Sequence, residues 1–123
     1  YNYVMGDTVR LEQVLVNLIS NALQAMEKQV TPVIDIALHC DEQWAVLLVR
    51  DHGPGIPSDD VNRVFEPFYT TKKAGQGLGL GLSISYRIIE SMGGLLSVEN
   101  HPQGGAVFKI CLPRAQTPDN VIS

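Results

Sequence analysis

The stretch GQGLGLGLSISYRIIESMGG (Gly75–Gly94) sets alternating glycines directly before an amphipathic segment. Glycine inside regular structure costs stability, so such a cluster signals unusual dihedrals or something passing close to the backbone. It is not a Walker loop, because no Gly-Lys-Ser/Thr follows. It is not the dinucleotide fingerprint, because Gly77 and Gly79 lack a third glycine at the required spacing. The valine that closes the protein-kinase glycine loop is missing too. What remains is a run of glycine-freed amides feeding a helix N-terminus near Gly81. Unpaired N–H groups and the positive end of the helix dipole make such a junction an anion site. Just upstream, Thr70 and Thr71 supply hydroxyls and Lys72 and Lys73 supply cations. A flexible surface loop explains the glycines but not their alternation. A mobile lid over phosphate, from Tyr69 to Gly79, explains both.

Working outward, the segment after the glycines reads as a helix from about Gly81 to Met92, stopped by Gly93–Gly94. LLSVEN (Leu95–Asn100) and AVFKICLP (Ala106–Pro113) supply two strands, and 114–123 is expected to be a disordered tail. Toward the N-terminus, a short strand near Asn2–Met5 leads to Asp7, placed to cap a long helix through about Lys28. Pro32 closes that connection. VIDIALHC (Val33–Cys40) and WAVLLVRD (Trp44–Asp51) read as strands joined by a tight turn around Asp41–Gln43. HGPGIPSDD is a loop by its Gly and Pro content, with Ser58 placed to cap a short helix over Asp59–Val64. Tight turns between neighbouring strands predict an α+β domain over 1–113. Its expected form is a two-layer α/β sandwich, the sheet mixed and mostly antiparallel with helices on one face.

The 123 residues suffice for one domain with a real core. A net charge of −4 argues against nucleic acid as the main partner, since that role calls for a basic face. The apolar runs, such as WAVLLV (Trp44–Val49), are too short to span a membrane. The opening YNYVMGD has no initiator methionine and no signal peptide, the pattern of a fragment from a longer protein. Cys40 and Cys111 fit no zinc or redox spacing and are expected as small core residues.

The first helix carries one polar stripe. Leu11, Val14, Leu15, Leu18, Ala22 and Ala25 form an apolar face at helical spacing, and Val16, Ile19 and Leu23 extend it. Gln13, Asn17, Asn21 and Gln24 remain, with Ser20 beside them. Solvated faces are usually Lys, Glu and Arg, whereas asparagine is a poor helix former. Amide carbonyls on one line suit a hard cation such as Mg²⁺, or a polar ligand in a cleft. Asp51 ends its strand just before Gly53-Pro54-Gly55. An Asx turn accounts for that pattern. So does a carboxylate at a pocket mouth that accepts a hydrogen bond from a ligand amine, with Gly53 and Gly55 admitting a ring.

Taken in order, these pieces resemble the catalytic and ATP-binding domain of bacterial sensor histidine kinases, whose fold is shared with gyrase and Hsp90 ATPase domains. LEQVLVNLISNALQAM looks like the N box, DHGPGI the first glycine box, VFEPFYTTK the F box, GQGLGLGLSI the second glycine box and GGAVFKICLP the closing strand motif. The likeness covers Met5 to Pro113, and NALQAM and FEPFYTTK look closest to sensors of the nitrogen-regulation and C4-dicarboxylate group.

The resemblance implies a Bergerat-type fold binding ATP and Mg²⁺. It makes Asn21 the Mg²⁺ ligand, Asn17 its neighbour toward the phosphates, and Asp51 the partner of the adenine amine. Gly53, Gly55 and Ile56 would border the base. Thr71 and Lys72 would reach the phosphates, and Gly77, Leu78, Gly79, Leu80 and Gly81 would wrap them. Asn17, Asn21 and Lys72 carry the catalytic expectation, and Phe65 and Phe68 would pack the base of the lid. The implied partners are the dimerisation and phosphoacceptor domain of the same kinase and a response-regulator receiver domain. The implied setting is a cytoplasmic domain of a homodimeric parent, with an inner-membrane anchor compatible with it. Three positions depart from the family pattern: His52 stands where Asn is usual, Gln24 where many members have a basic residue, and Ala106 where many have Thr.

The main rival is an ATP hydrolase or switch of the same superfamily. Those relatives place a glutamate four residues before the metal-binding asparagine as base for water. Here that residue is Asn17, which cannot take a proton. The other rival is a degenerate, non-catalytic nucleotide-binding module, against which the intact boxes count. No phosphoacceptor is visible, since His39 lies in a strand, His52 beside the pocket and His101 in a hairpin turn. The acceptor helices are expected before Tyr1.

Overall fold

The computed structural model describes residues 5–67 and 81–114. Helix α1 (Met5–Ala25) is followed by strands β1 (Asp35–Cys40) and β2 (Trp44–Arg50) and a 3-10 turn (Ser58–Arg63). Helix α2 (Gly81–Ser91) and strands β3 (Leu95–Asn100) and β4 (Ala106–Pro113) complete the order. The strands form one sheet in the order β1-β2-β4-β3, and every pairing is antiparallel. The sheet, expected to be mixed and mostly antiparallel, is antiparallel throughout among the described residues. Each hairpin closes as its short turn dictates.

Register explains which side chains face the helices. Val49 sits opposite Phe108 and Leu47 opposite Ile110, while Ile110 also faces Leu96 across the other hairpin. Alternation along a strand puts these on one face. Val14 and Leu18 of α1 and Ile89 of α2 close over them, all fully buried. Leu11 and Leu15 pack at the margin of this core. The helices cover β2, β4 and β3, but none of the described elements covers the inner face of β1. Ile36 and Leu38 are consequently 56% and 64% exposed, although they share the face of Val49 and Leu47. The same uncovered edge leaves Cys40 exposed rather than in the core, and Cys111 is half-buried; both are free thiols. Val16 and Leu23, read as an extension of α1's apolar face, are also largely exposed.

Three local expectations are corrected. Met5 opens α1 rather than ending a strand, and 2–4 lie outside the described residues. α1 stops at Ala25, not Lys28, because the bonding shortens from four residues to three at Met26 N→Leu23 O and Glu27 N→Gln24 O. The 3-10 turn is preceded by Pro57, with no side-chain cap, so Ser58 lies inside it. α2 stops just before Gly93, whose φ of 81° and bond to the Glu90 carbonyl form the expected glycine C-cap.

Candidate functional site

Asp51 continues β2 by one residue, its N–H donating to the Ala106 carbonyl at 3.0 Å. The side chain is only 2% exposed, a costly place for a carboxylate unless it is hydrogen-bonded. Its Oδ1 accepts from Gly53 N at 2.9 Å and Ala106 N at 3.2 Å. The first bond is an Asx turn, so the structural use of Asp51 is realised. Among the described residues, no donor meets Oδ2. One oxygen thus holds the backbone.

The loop after Asp51 packs on the C-terminal end of α1. A Cβ on Gly53 would stand 2.8 Å from the Ala25 carbonyl oxygen, so only glycine fits. His52 N donates to Met26 Sδ at 3.3 Å, and Gln29 Nε2 donates to the His52 carbonyl at 2.7 Å. The His52 ring is turned away, its Nε2 lying 2.7 Å from Asp35 Oδ2. Gly55 has φ of 80°, a conformation that glycine supplies without strain. Ile56 is half-buried against the core and is bracketed by the Asn100 amide.

α1 connects this loop to the start of α2. Asn21, half-buried one turn before Ala25, makes no hydrogen bond to a described residue. Another turn back, Asn17 Nδ2 donates to Ser85 Oγ at 3.1 Å and lies 3.5 Å from the Gly81 carbonyl. From Ala25 to Asn17 the helix rises roughly 12 Å at 1.5 Å per residue. A carboxylate oxygen and an amide, both without a partner among the described residues, and a helix N-terminus are thus set along one edge of α1. Gly81 opens α2 and is exposed, with a notional Cβ 4.0 Å from Asn17 Cγ, so neither packing nor a positive φ requires glycine there.

Thr71, Lys72, Gly77, Leu78, Gly79 and Leu80, with Phe68, lie outside the described residues. Phe65 stacks on Tyr86 of α2 at 5.2 Å and meets Phe108 edge-on at 6.3 Å, anchoring the chain just before that segment. His101 lies in the β3–β4 turn as expected, its Nδ1 accepting from Gln103 N at 3.0 Å. Sequence reasoning missed Asn100 and Gln29, whose partners are distant in sequence. Gly105 falls within the closing motif. Its φ of 86° and close approach to the Asp51 backbone come from the structure, and the Gly-Gly pair just before β4 is the one sequence feature that points to them.

The model of the histidine kinase-, DNA gyrase B-, and HSP90-like ATPase family matches residues 6–116, and this chain belongs to that family. Within it the relatives are sensor histidine kinases. Sporulation kinase A of Bacillus subtilis is 43% identical over 91% of this chain and 18% of its own length. The C4-dicarboxylate transport sensor protein DctB of Pseudomonas aeruginosa is 39% identical over 89% of this chain, again 18% of its own length. The solved structure of the mycobacterial sensor histidine kinase MprB superposes with a TM-score of 0.79 at 30% identity, covering 89% of this chain and 76% of that one. The chain is the ATP-binding domain of a sensor histidine kinase type and spans under a fifth of those two curated relatives.

Proposed function

We propose that this chain binds Mg-ATP and delivers the γ-phosphoryl group to a histidine on a separate dimerisation domain, as the kinase domain of a two-component sensor. The observation that carries the reading is Asp51, buried with one oxygen spent on backbone amides and the other without a described donor. That oxygen accepts from the exocyclic amine of adenine, while Gly53, Gly55 and Ile56 border the ring. The spacing along α1 then carries the phosphates toward Asn21, Asn17 and Gly81.

The amide carbonyl of Asn21 fits a hard cation, being half-buried and without a described partner. Among the described residues no group of three His, Cys, Asp or Glu side chains could hold a metal. Asn21 alone would hold Mg²⁺, together with phosphate oxygens and water, a usual pattern for this ion. The ion supplies neutralisation of charge on the transferring phosphoryl group. The helix N-terminus at Gly81 attracts the same charge, and Lys72 and Thr71 would add a cation and a hydroxyl from the glycine-rich segment. Asn17 orients without accepting a proton, so the nucleophile and its base come from the partner domain. The finished phosphohistidine would be read by a receiver domain.

No helix among the described residues is long and apolar enough to cross a membrane. We place the domain in the cytoplasm, within a homodimeric parent. Calorimetry with ATP, with and without Mg²⁺, tests binding. Labelled ATP with the parent's dimerisation domain in trans tests transfer, and labelling should rise with acceptor concentration. Failure of the chain to bind ATP would overturn the reading.

A further inference from the structure

We propose that Asn100 is a positioning residue for the base-binding subsite, its side-chain amide setting where the 53–57 loop stands relative to the Asp51 carboxylate. The inference rests on reading Asp51 as the base-binding acid. Asn100 is the last residue of β3. Its Oδ1 accepts from Ile56 N at 2.8 Å and its Nδ2 donates to Ile56 O at 2.7 Å. Because one partner is an N–H and the other a carbonyl, the orientation of the amide is dictated rather than chosen. Two bonds to both backbone groups of one residue fix its rotation as well as its position. The side chain thus adds one rung of sheet-like pairing where the strand has ended.

The same Oδ1 lies 2.7 Å from where a Cβ on Gly55 would stand, so the amide also fills the space beside that glycine. On the other side of the site, the β3–β4 turn closes through His101 N→Gly105 O at 2.9 Å. Gly105 presses on the Asp51 backbone, and Ala106 N bonds its carboxylate. One hairpin therefore grips the acid through Ala106 and the loop through Asn100. Their mutual distance is set by that hairpin and not by the loop itself. Asn100 is exposed and is not part of the core cluster, so its loss frees the loop without opening the core.

The test compares wild type, Asn100→Ala and Asn100→Asp for binding of adenosine and of ATP, for melting temperature, and for ligand-free exchange of the Ile56 amide. Asn100→Ala should weaken both ligands by the same factor, roughly fivefold to thirtyfold for two lost hydrogen bonds, with melting lowered by a few degrees and the chain still folded at the binding temperature. Ile56 N should exchange faster without ligand. Asn100→Asp keeps the acceptor but sets a carboxylate oxygen against Ile56 O, and should be at least as damaging. Gly55→Ala should cost less binding in the Asn100→Ala background than alone, because the Oδ1 contact is gone. Wild-type adenosine affinity in Asn100→Ala, with ATP still bound, overturns the proposal and leaves the nucleotide reading standing. Affinity losses accounted for by the unfolded fraction at the binding temperature in both variants also overturn it. Absence of ATP binding by wild type removes the reading and the proposal together, whatever the Ile56 exchange shows.

Discussion

Asn17 Nδ2 on α1 donates to Ser85 Oγ on α2 at 3.1 Å, joining the two helices beside the fully buried Ser85. The donor side of Asn17 is thereby spent on holding α2, and its carbonyl remains for other partners. Ser85→Ala should remove the acceptor, leave a half-buried donor short of a bond, and lower stability by about 1 kcal/mol in urea unfolding. Nucleotide affinity should fall with it, because the start of α2 loses its tie. A variant as stable and as tight-binding as wild type would discount the bond.

Asp51→Asn separates the two oxygens' roles. The amide oxygen still accepts from Gly53 N and Ala106 N, so melting should change little. The nitrogen replaces the acceptor facing the ligand amine, and affinity for adenine nucleotides should drop about tenfold or more. Calorimetry with unchanged affinity would take Asp51 out of the pocket.

Gly105 has a φ of 86° and its missing side chain would strike the Asp51 carbonyl oxygen, which is backbone and cannot rotate away. Gly105→Ala should cost more than about 2 kcal/mol, since left-handed strain adds to the collision. Thermal unfolding checks this, and a near-wild-type midpoint contradicts it.

Asp41 holds the β1–β2 turn by accepting from Gln43 N and Trp44 N, both at 2.7 Å. The Trp44 amide foremost, then that of Gln43, hold its pKa below the ordinary 3.8. A depressed folded pKa contributes stability that is present above the unfolded value and lost as pH falls through the folded one. Asp41→Ala should therefore be less stable than wild type at neutral pH, with the gap closing below about 3.8. Urea midpoints across pH measure it; a gap that persists in acid rules out the carboxylate.

ATP turnover by the chain alone should be negligible, because Asn17 cannot activate water. Phosphate release by the isolated chain, abolished by Asn17→Ala, would place it with the hydrolases instead.

Local physics made much of this molecule legible in its sequence. Helical spacing in α1 named Val14 and Leu18 as core, and both are fully buried. Alternating patterns bounded by short turns placed the four described strands close to their observed limits within a sheet expected to be mostly antiparallel, and Gly93 marked the end of α2. Asp51 before its glycines and the asparagines of α1 were readable because their residue types are unusual in those contexts. Tertiary structure alone decided what depends on neighbours remote in the chain. β1 became an edge whose inner face no described helix covers, so Cys40, Ile36 and Leu38 are exposed against their pattern. Asn17 found Ser85 across 68 residues, and Asn100 found Ile56 across 44. Periodicity reports which face a residue occupies; whether another element lies on that face, and which polar group meets which, is set by packing at a distance.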